Sequence, residues 1–331
     1  MAADSPQHSA GAAEEPVIDA VGITRHFGDF VAVDHIDIQV HPGEVFGLLG
    51  ANGAGKTTSI RMLCGMLAPN AGSITVGGVD MVHHARRARA RIGYVSQRFA
   101  LYHDLTVREN LDLAAGIYGL DPERRDRRLA WALERLELGD LTRTMSGSLP
   151  LGYKQRLALA AALLHEPRVL FLDEPTSGID PLARQRFWEL IYDLADNGIG
   201  ILVTTHYMDE ALFCDRLSLM HAGRIVAEGA PEDLLTRPLE TPIVDLRAPD
   251  CVHCARLLET WPEVREIIPH AGHLRIRLQA GVSVDEAMKK MYETAASEGV
   301  TIEKLEIVAP QLEDVFVAVL EEHGGGREEE A

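Results

Sequence analysis

Residues 50–58 read Gly-Ala-Asn-Gly-Ala-Gly-Lys-Thr-Thr, the GxxxxGK[ST] spacing of a loop that holds phosphate. Gly50, Gly53 and Gly55 carry no Cβ, so the backbone there can bend tightly and aim several N–H groups at a phosphate chain. The candidates for the cradle are Gly50, Asn52, Gly53, Ala54, Gly55, Lys56, Thr57 and Thr58. Lys56 is placed to reach the β- and γ-phosphates, and Thr57 to offer its hydroxyl to Mg²⁺. A chance glycine-rich turn has the same composition but not the same surroundings. EVFGLL before the loop reads as a short buried strand, and KTTSIRMLCGML after it has apolar residues at helical spacing. A helix N-terminus then faces the anion. The sequence implies a nucleoside triphosphate site.

Further along, VLFLDEP at 169–175 is an apolar strand ending in two carboxylates. Asp173 is expected to enter the Mg²⁺ shell opposite the loop. Glu174, one residue on, is expected to polarise a water in line with the γ-phosphate. His206 ends the next strand, LVTTH, on the same sheet edge, where it can hydrogen-bond the γ-phosphate and hold that water. Gln97, after the strand-like IGYVS, can link Mg²⁺ and water to a moving segment. The candidate catalytic set is therefore Lys56, Gln97, Glu174 and His206, and the metal set is Thr57, Gln97 and Asp173. Phe27 can stack on adenine or can be an ordinary core aromatic.

These residues need an α/β nucleotide-binding core to carry them. The chain has 331 residues, enough for one large domain and a smaller one, with a globular composition of 46% hydrophobic and 25% charged residues. A net charge of −18 argues against nucleic acid as a partner, and the arginine-rich stretches 85–91 and 122–128 read as solvated faces. The start lacks a secretory pattern, and the apolar run LALAAALL at 157–164 is shorter than the ~20 residues a membrane span needs. A cytoplasmic protein is expected, held at a membrane only through a partner. Cys64 and Cys214 read as small core residues; the single CxxC at 251–254 is a weak metal signal. Residues 1–15 and 322–331 are expected to be disordered. Residues 16–48 read as β-rich and about 98–166 as helical, and strands resume at 169. The order β-α-β-β-α-β over 240–321, with Ser283 and Glu286 as a capping box and a last helix at LEDVFVAVL, is that of a split-βαβ, ferredoxin-like fold.

Taken in order, Phe27, the 50–58 loop, Gln97, the segment 149–156, LDEP, SGID at 177–180 and His206 resemble the ATP-binding subunits of ABC transporters. The resemblance covers 16 to about 236. It implies an α/β P-loop NTPase of ABC type: a RecA-like core, an antiparallel β subdomain and a helical insertion, followed by the small α+β domain. It further implies ATP and Mg²⁺ as ligands, and ATP hydrolysis that powers membrane permease subunits. The ATP-binding subunits would pair head to tail as a homodimer or heterodimer, with Ser177 and Asp180 in a loop that reports across the interface. APQLEDVF at 309–316 resembles a segment in ABC-2-type exporters of drugs or sodium. One departure stands out. Where the family has LSGGQ, this chain has Leu149, Pro150, Leu151, Gly152 and Tyr153. Pro150 supplies neither hydroxyl nor N–H to a phosphate on the opposite subunit. Gly152 and the helix dipole remain, and a similar LPLG segment occurs in exporters whose ATPase halves are fused. Apolar residues Phe99, Leu101, Tyr102 and Leu105 suit docking to a permease or packing of the insertion. A slow, ATP-gated regulatory clamp is the alternative function; a GTP switch is disfavoured because no NKxD segment follows the loop.

Overall fold

The computed structural model describes residues 15–97, 100–237, 241–270 and 272–322. The expected disorder at the two ends, and Phe99, lie outside these residues except for Glu15 and Glu322. The chain divides after Pro231 into two compact units, each treated by itself.

The first unit runs β1 (Ile18–Phe27), β2 (Phe30–Val40), β3 (Val45–Leu49), α1 (Lys56–Leu63), β4 (Ala71–Val76), β5 (Val79–Asp80), α2 (Met81–Arg89) and β6 (Ile92–Val95). The helices α3 (Val107–Ile117), α4 (Pro122–Arg135) and α5 (Leu151–Leu163) follow. Then come β7 (Val169–Asp173), α6 (Pro181–Asp196), β8 (Gly200–Thr205), α7 (Met208–Ala211), β9 (Arg216–His221) and β10 (Arg224–Gly229). A short helix, α8 (Pro231–Leu235), stands at the boundary.

The main sheet has the order β10-β9-β3-β8-β7-β6, parallel from β9 to β6. Every residue of β3, β7 and β8 is buried, as expected for parallel strands covered on both faces. Because β3, β6, β7 and β8 run the same way, the phosphate loop, Gln97, Glu174 and His206 all follow their C-terminal ends. Open α/β sheets bind ligands at this edge. A second, antiparallel sheet, β2-β1-β4-β5, packs its apolar face with α1 into one core.

The helical insertion is set by its caps and its leucines. Thr106 and Glu109 form a reciprocal capping box for α3, and Asp121 caps α4 with Pro122 in the first turn. Leu111, Leu129, Leu157 and Leu163 close one core with β7 and α6 residues such as Leu170 and Trp188. The arginines of 122–128 are not merely a solvated face. Arg128 donates to Leu163 O at 2.9 Å and Leu164 O at 3.2 Å, and Arg124, paired with Glu166, donates to His165 O at 3.3 Å, so two of them close the open carbonyls at and just past the end of α5. Arg91 likewise donates to Gly77 O, whereas Arg86, Arg87 and Arg89 are exposed.

His165 is buried beyond α5, stacked on Tyr118 with centroids 3.6 Å apart and bonded to Ile92 O at 2.9 Å. Burial pulls its pKa from 6.5 down to about 4. Between those values the unfolded chain binds the proton and the folded chain does not, so stability rises with pH. This contribution is complete above pH 6.5 and is lost as pH falls towards 4. Denaturant unfolding at pH 7 and pH 4.5 is expected to show a shallower loss in His165→Phe than in the wild-type chain.

The second unit contains β11 (Ile243–Arg247), α9 (Cys251–Leu258), β12 (Val264–His270), β13 (His273–Leu278), α10 (Val284–Ser297), β14 (Lys304–Ile307) and α11 (Leu312–Glu322). Its antiparallel sheet has the order β12-β13-β11-β14, the split-βαβ arrangement read from the sequence. Leu246, Leu274, Ile276 and Leu278 face Cys254, Leu258 and Met291 of α9 and α10. The arginine side of β13 is buried as well, under α11. Arg275 donates to Asp314 at 2.6 Å, and Arg277 lies 3.5 Å from the other oxygen of the same carboxylate. The APQLEDVF segment thus supplies the counter-charge for two buried arginines. Ser283 precedes α10, but its side chain makes no capping hydrogen bond, so the expected capping box is not formed.

Candidate functional site

The loop after β3 enters α1 through Gly55, whose φ of 111° lies in the left-handed region. A Cβ there would lie 2.6 Å from Ala32 O, so both conformation and space call for glycine. Lys56 is buried at the start of α1, and its Nζ donates to Gly50 O at 2.7 Å and Ala51 O at 3.0 Å. Its Nζ also stands 4.0 Å from Glu174 Oε1. Burial lowers the Lys56 pKa, while the carboxylates of Glu174 and Asp173 act to raise it. Within the cradle, Asn52 and Gly53 are exposed, Ala54 is buried, and Thr57 and Thr58 are half-buried.

Asp173 closes the opposite wall. Its Oδ1 accepts from Thr204 Oγ1 at 2.8 Å and faces Thr57 Oγ1 at 3.4 Å, and Tyr94 Oη stands 3.5 Å from Oδ2. Burial, with the Asp173 charge, raises the Tyr94 pKa. Glu174 holds a φ of 49°, unusual for a residue with a side chain, and its N–H is fixed by Thr204 O at 3.0 Å. The Glu174 carboxylate accepts from Gln97 Nε2 at 2.8 Å and lies 3.3 Å from His206 Nδ1. The structure therefore brings Lys56, Thr57, Gln97, Asp173, Glu174 and His206 into one constellation. The Thr57 hydroxyl faces the Asp173 carboxylate, and the Gln97 amide bonds the neighbouring Glu174 carboxylate, so oxygen donors suited to Mg²⁺ line this edge beside a lysine. Glu174 is placed to take a proton from a water.

Phe27 ends β1 about half exposed, under the Arg25 guanidinium at 4.8 Å. It is not a core aromatic; an exposed ring remains free to stack. Pro150 is the N-cap residue of α5, with no side-chain hydrogen bond. Leu151 and Tyr153 are exposed and Gly152 is half-buried. A Cβ on Gly178 would meet Leu151 Cδ2 at 3.3 Å, so the 149–153 segment adjoins the 177–180 loop. Ser177 is half-buried there; Asp180 caps α6 by accepting from Ala183 N–H at 3.0 Å. Gln155, a turn into α5, is buried and donates to Pro175 O, next to Glu174.

Sequence reasoning missed Thr204, Tyr94 and Gln155. Thr204 stands beside Asp173 through the parallel register of β7 and β8, which no spacing in the sequence reveals. The CxxC thiols of Cys251 and Cys254 lie on α9, the second of them buried.

A parallel sheet that presents a glycine-rich loop, a lysine and two carboxylates at one edge defines a P-loop nucleotide-binding protein. The ABC transporter family pattern matches residues 33–177. The multidrug ABC transporter ATP-binding protein YbhF of Escherichia coli K12, described as probable, is 47% identical over 224 residues, covering 68% of this chain and 39% of that protein. The chain thus spans about two fifths of that relative's length. Nod factor export ATP-binding protein I of Burkholderia pseudomallei 1710b is 40% identical over 276 residues, covering 80% of this chain and 91% of that protein. Among solved structures, cbiO1 from Clostridium perfringens, part of the ABC transporter complex cbiONQ, superposes with a TM-score of 0.63 at 29% identity. That match covers 68% of this chain and 92% of cbiO1. The chain belongs to the ABC transporter family of ATP-binding proteins.

Proposed function

We propose that this chain binds and hydrolyses ATP and, paired with a second ATP-binding subunit, powers an ABC-2-type membrane exporter through a permease. The observation that carries the reading is the single cluster of Lys56, Asp173, Glu174, Gln97 and His206 at the ends of β3, β7, β6 and β8. Thr57, Asp173 and Gln97 would hold Mg²⁺, which when bound neutralises charge on the β- and γ-phosphate oxygens. Lys56 and the N–H groups of the loop and of α1 bind the phosphate chain. Glu174 accepts the proton of the attacking water at its carboxylate, and Gln97 and His206 hold that water and the γ-phosphate in line. Phe27 stacks on the adenine.

We assign ATP binding to residues 16–236 and an accessory role to 240–321. Among the described residues no helix is long and apolar enough to cross a membrane. Attachment to the inner face of the cell membrane would come through the permease. The names of the relatives point to export of drugs or of Nod factor; the substrate class would be set by the permease. Phosphate release from MgATP by the purified chain, alone and with its permease, tests the reading. Turnover no higher than that of a Glu174→Gln control, even with the permease present, would overturn it.

The Leu149–Tyr153 segment and Ser177–Asp180 form the face offered to the partner subunit's nucleotide. Pro150→Ser restores a hydroxyl at the α5 N-cap. Because a hydrogen bond to a charged group contributes about 1.5–3 kcal/mol, hydrolysis by the assembled dimer is expected to rise about tenfold. Nucleotide affinity of the isolated subunit is expected to stay within about twofold, since the substitution lies outside its own phosphate loop. Equilibrium binding and steady-state hydrolysis read the two effects. Indifference of both hydrolysis and dimerisation would show that this segment faces no partner nucleotide.

A further inference from the structure

Glu210 lies on α7, four residues after His206, and is fully buried at 0% exposure. A carboxylate taken out of water is costly unless its oxygens are satisfied. Those of Glu210 are satisfied by three elements. Oε2 accepts from Thr205 Oγ1 at 2.8 Å. Oε1 accepts from Thr176 Oγ1 and stands 3.4 Å from Arg184 Nε.

Each of these partners adjoins the proposed chemistry. Thr205 directly precedes His206, and its hydroxyl also accepts from Tyr207 N–H at 3.0 Å. The residues on both sides of His206 are therefore tied to one carboxylate, by the relay Tyr207 N–H to Thr205 O–H to Glu210. Thr176 lies between Glu174 and the Ser177–Asp180 loop, and its neighbour Pro175 is held from the other side by Gln155. Arg184 stands on α6, just past that loop, and lies 5.3 Å over the Tyr207 ring. Both carboxylate oxygens thus accept a hydroxyl proton, and Oε1 also faces the guanidinium.

We infer that Glu210 is a positioning residue: it fastens the His206 loop to the Glu174–Asp180 segment, so that the γ-phosphate-facing histidine, the water-activating glutamate and the partner-facing loop hold one geometry. The inference rests on the ATPase reading of Glu174 and His206. Glu210 touches no substrate itself. It acts through Thr205 and Thr176, and a shift of either loop misplaces a reacting group.

Two measurements on the full chain test it. In hydrogen exchange, Glu210→Ala is expected to speed exchange in 174–180 and in 204–208 together by about tenfold, with Glu210→Gln between it and the wild type. In steady-state hydrolysis, Glu210→Ala is expected to lower kcat on the order of 10- to 100-fold while KM for MgATP stays within about threefold, because the phosphate loop is untouched. Glu210→Gln, which keeps one acceptor oxygen, should recover part of kcat. No joint rise in exchange overturns the fastening. A rise in exchange with kcat unchanged overturns the positioning role. A wild-type chain without Glu174-dependent hydrolysis overturns the ATPase reading and the positioning role with it, while exchange still decides whether Glu210 joins the loops. If Glu210→Ala unfolds, with exchange rising in α3–α5 as well, Thr176→Val removes one hydroxyl from the same carboxylate and decides by the same two readouts.

Discussion

Glu174→Gln is expected to cut steady-state phosphate release by about 10²- to 10⁴-fold, the range general-base groups contribute. Nucleotide binding should be kept or strengthened. Glutamine fills the same volume, its amide oxygen can still accept from Gln97 Nε2, and the backbone N–H stays fixed on Thr204 O at 3.0 Å. What is lost is a basic carboxylate whose Oε2 lies 3.3 Å from His206 Nδ1 and whose Oε1 lies 4.0 Å from Lys56 Nζ. The carboxylate's negative charge near the phosphate chain disappears as well, which removes a repulsion that bound ATP would otherwise bear. The left-handed φ of 49° argues that the position is held for its side chain, since asparagine or glycine would relieve the backbone more cheaply. Phosphate release together with equilibrium MgATP binding checks both halves. Turnover within a few-fold of the wild type would move the general base elsewhere.

The constellation was legible in the sequence because its members follow buried strands that read as unbroken apolar runs. VFGLL, VLFLD and GILVTT each place the next residue at the same sheet edge, so Lys56, Glu174 and His206 converge by topology alone. Thr204 was not legible, because its closeness to Asp173 is a matter of interstrand register. Glu210 was not legible either; a glutamate after a strand is ordinarily solvated, and only the fold puts two threonine hydroxyls over it. Arg275 and Arg277 alternate with leucines as a half-exposed strand would, yet both are buried because α11 returns across that face with Asp314. Arg124 and Arg128 share this history: a charge run looks solvated until a helix end needs donors. Position along a strand is local information, and who covers its far side is not.

Lys56→Ala is expected to weaken MgATP binding by about 10²-fold or more, since each charge-assisted hydrogen bond lost is worth about 1.5–3 kcal/mol and a buried cation makes more than one. Lys56 is enclosed rather than waving in solvent, and its ammonium is held over the loop by Gly50 O and Ala51 O at 2.7 and 3.0 Å. It is also the cation nearest Glu174, at 4.0 Å, so its removal leaves Glu174 and Asp173 facing the phosphates without compensation. The two losses act in the same direction. Ligand-linked stabilisation gives a second reading of the same quantity: 100-fold excess of ligand over Kd stabilises a fold by about 2.7 kcal/mol. A nucleotide-induced rise in Tm is therefore expected in the wild type and should vanish in Lys56→Ala at equal nucleotide concentration. Lys56→Arg keeps the charge but brings a planar fork into a space shaped for a compact ammonium, and should recover only part of the affinity. Wild-type affinity in Lys56→Ala, measured by calorimetry, would contradict the assignment of residues 50–58 to phosphate. An unchanged affinity with lost turnover would instead move Lys56 from binding to the transition state alone.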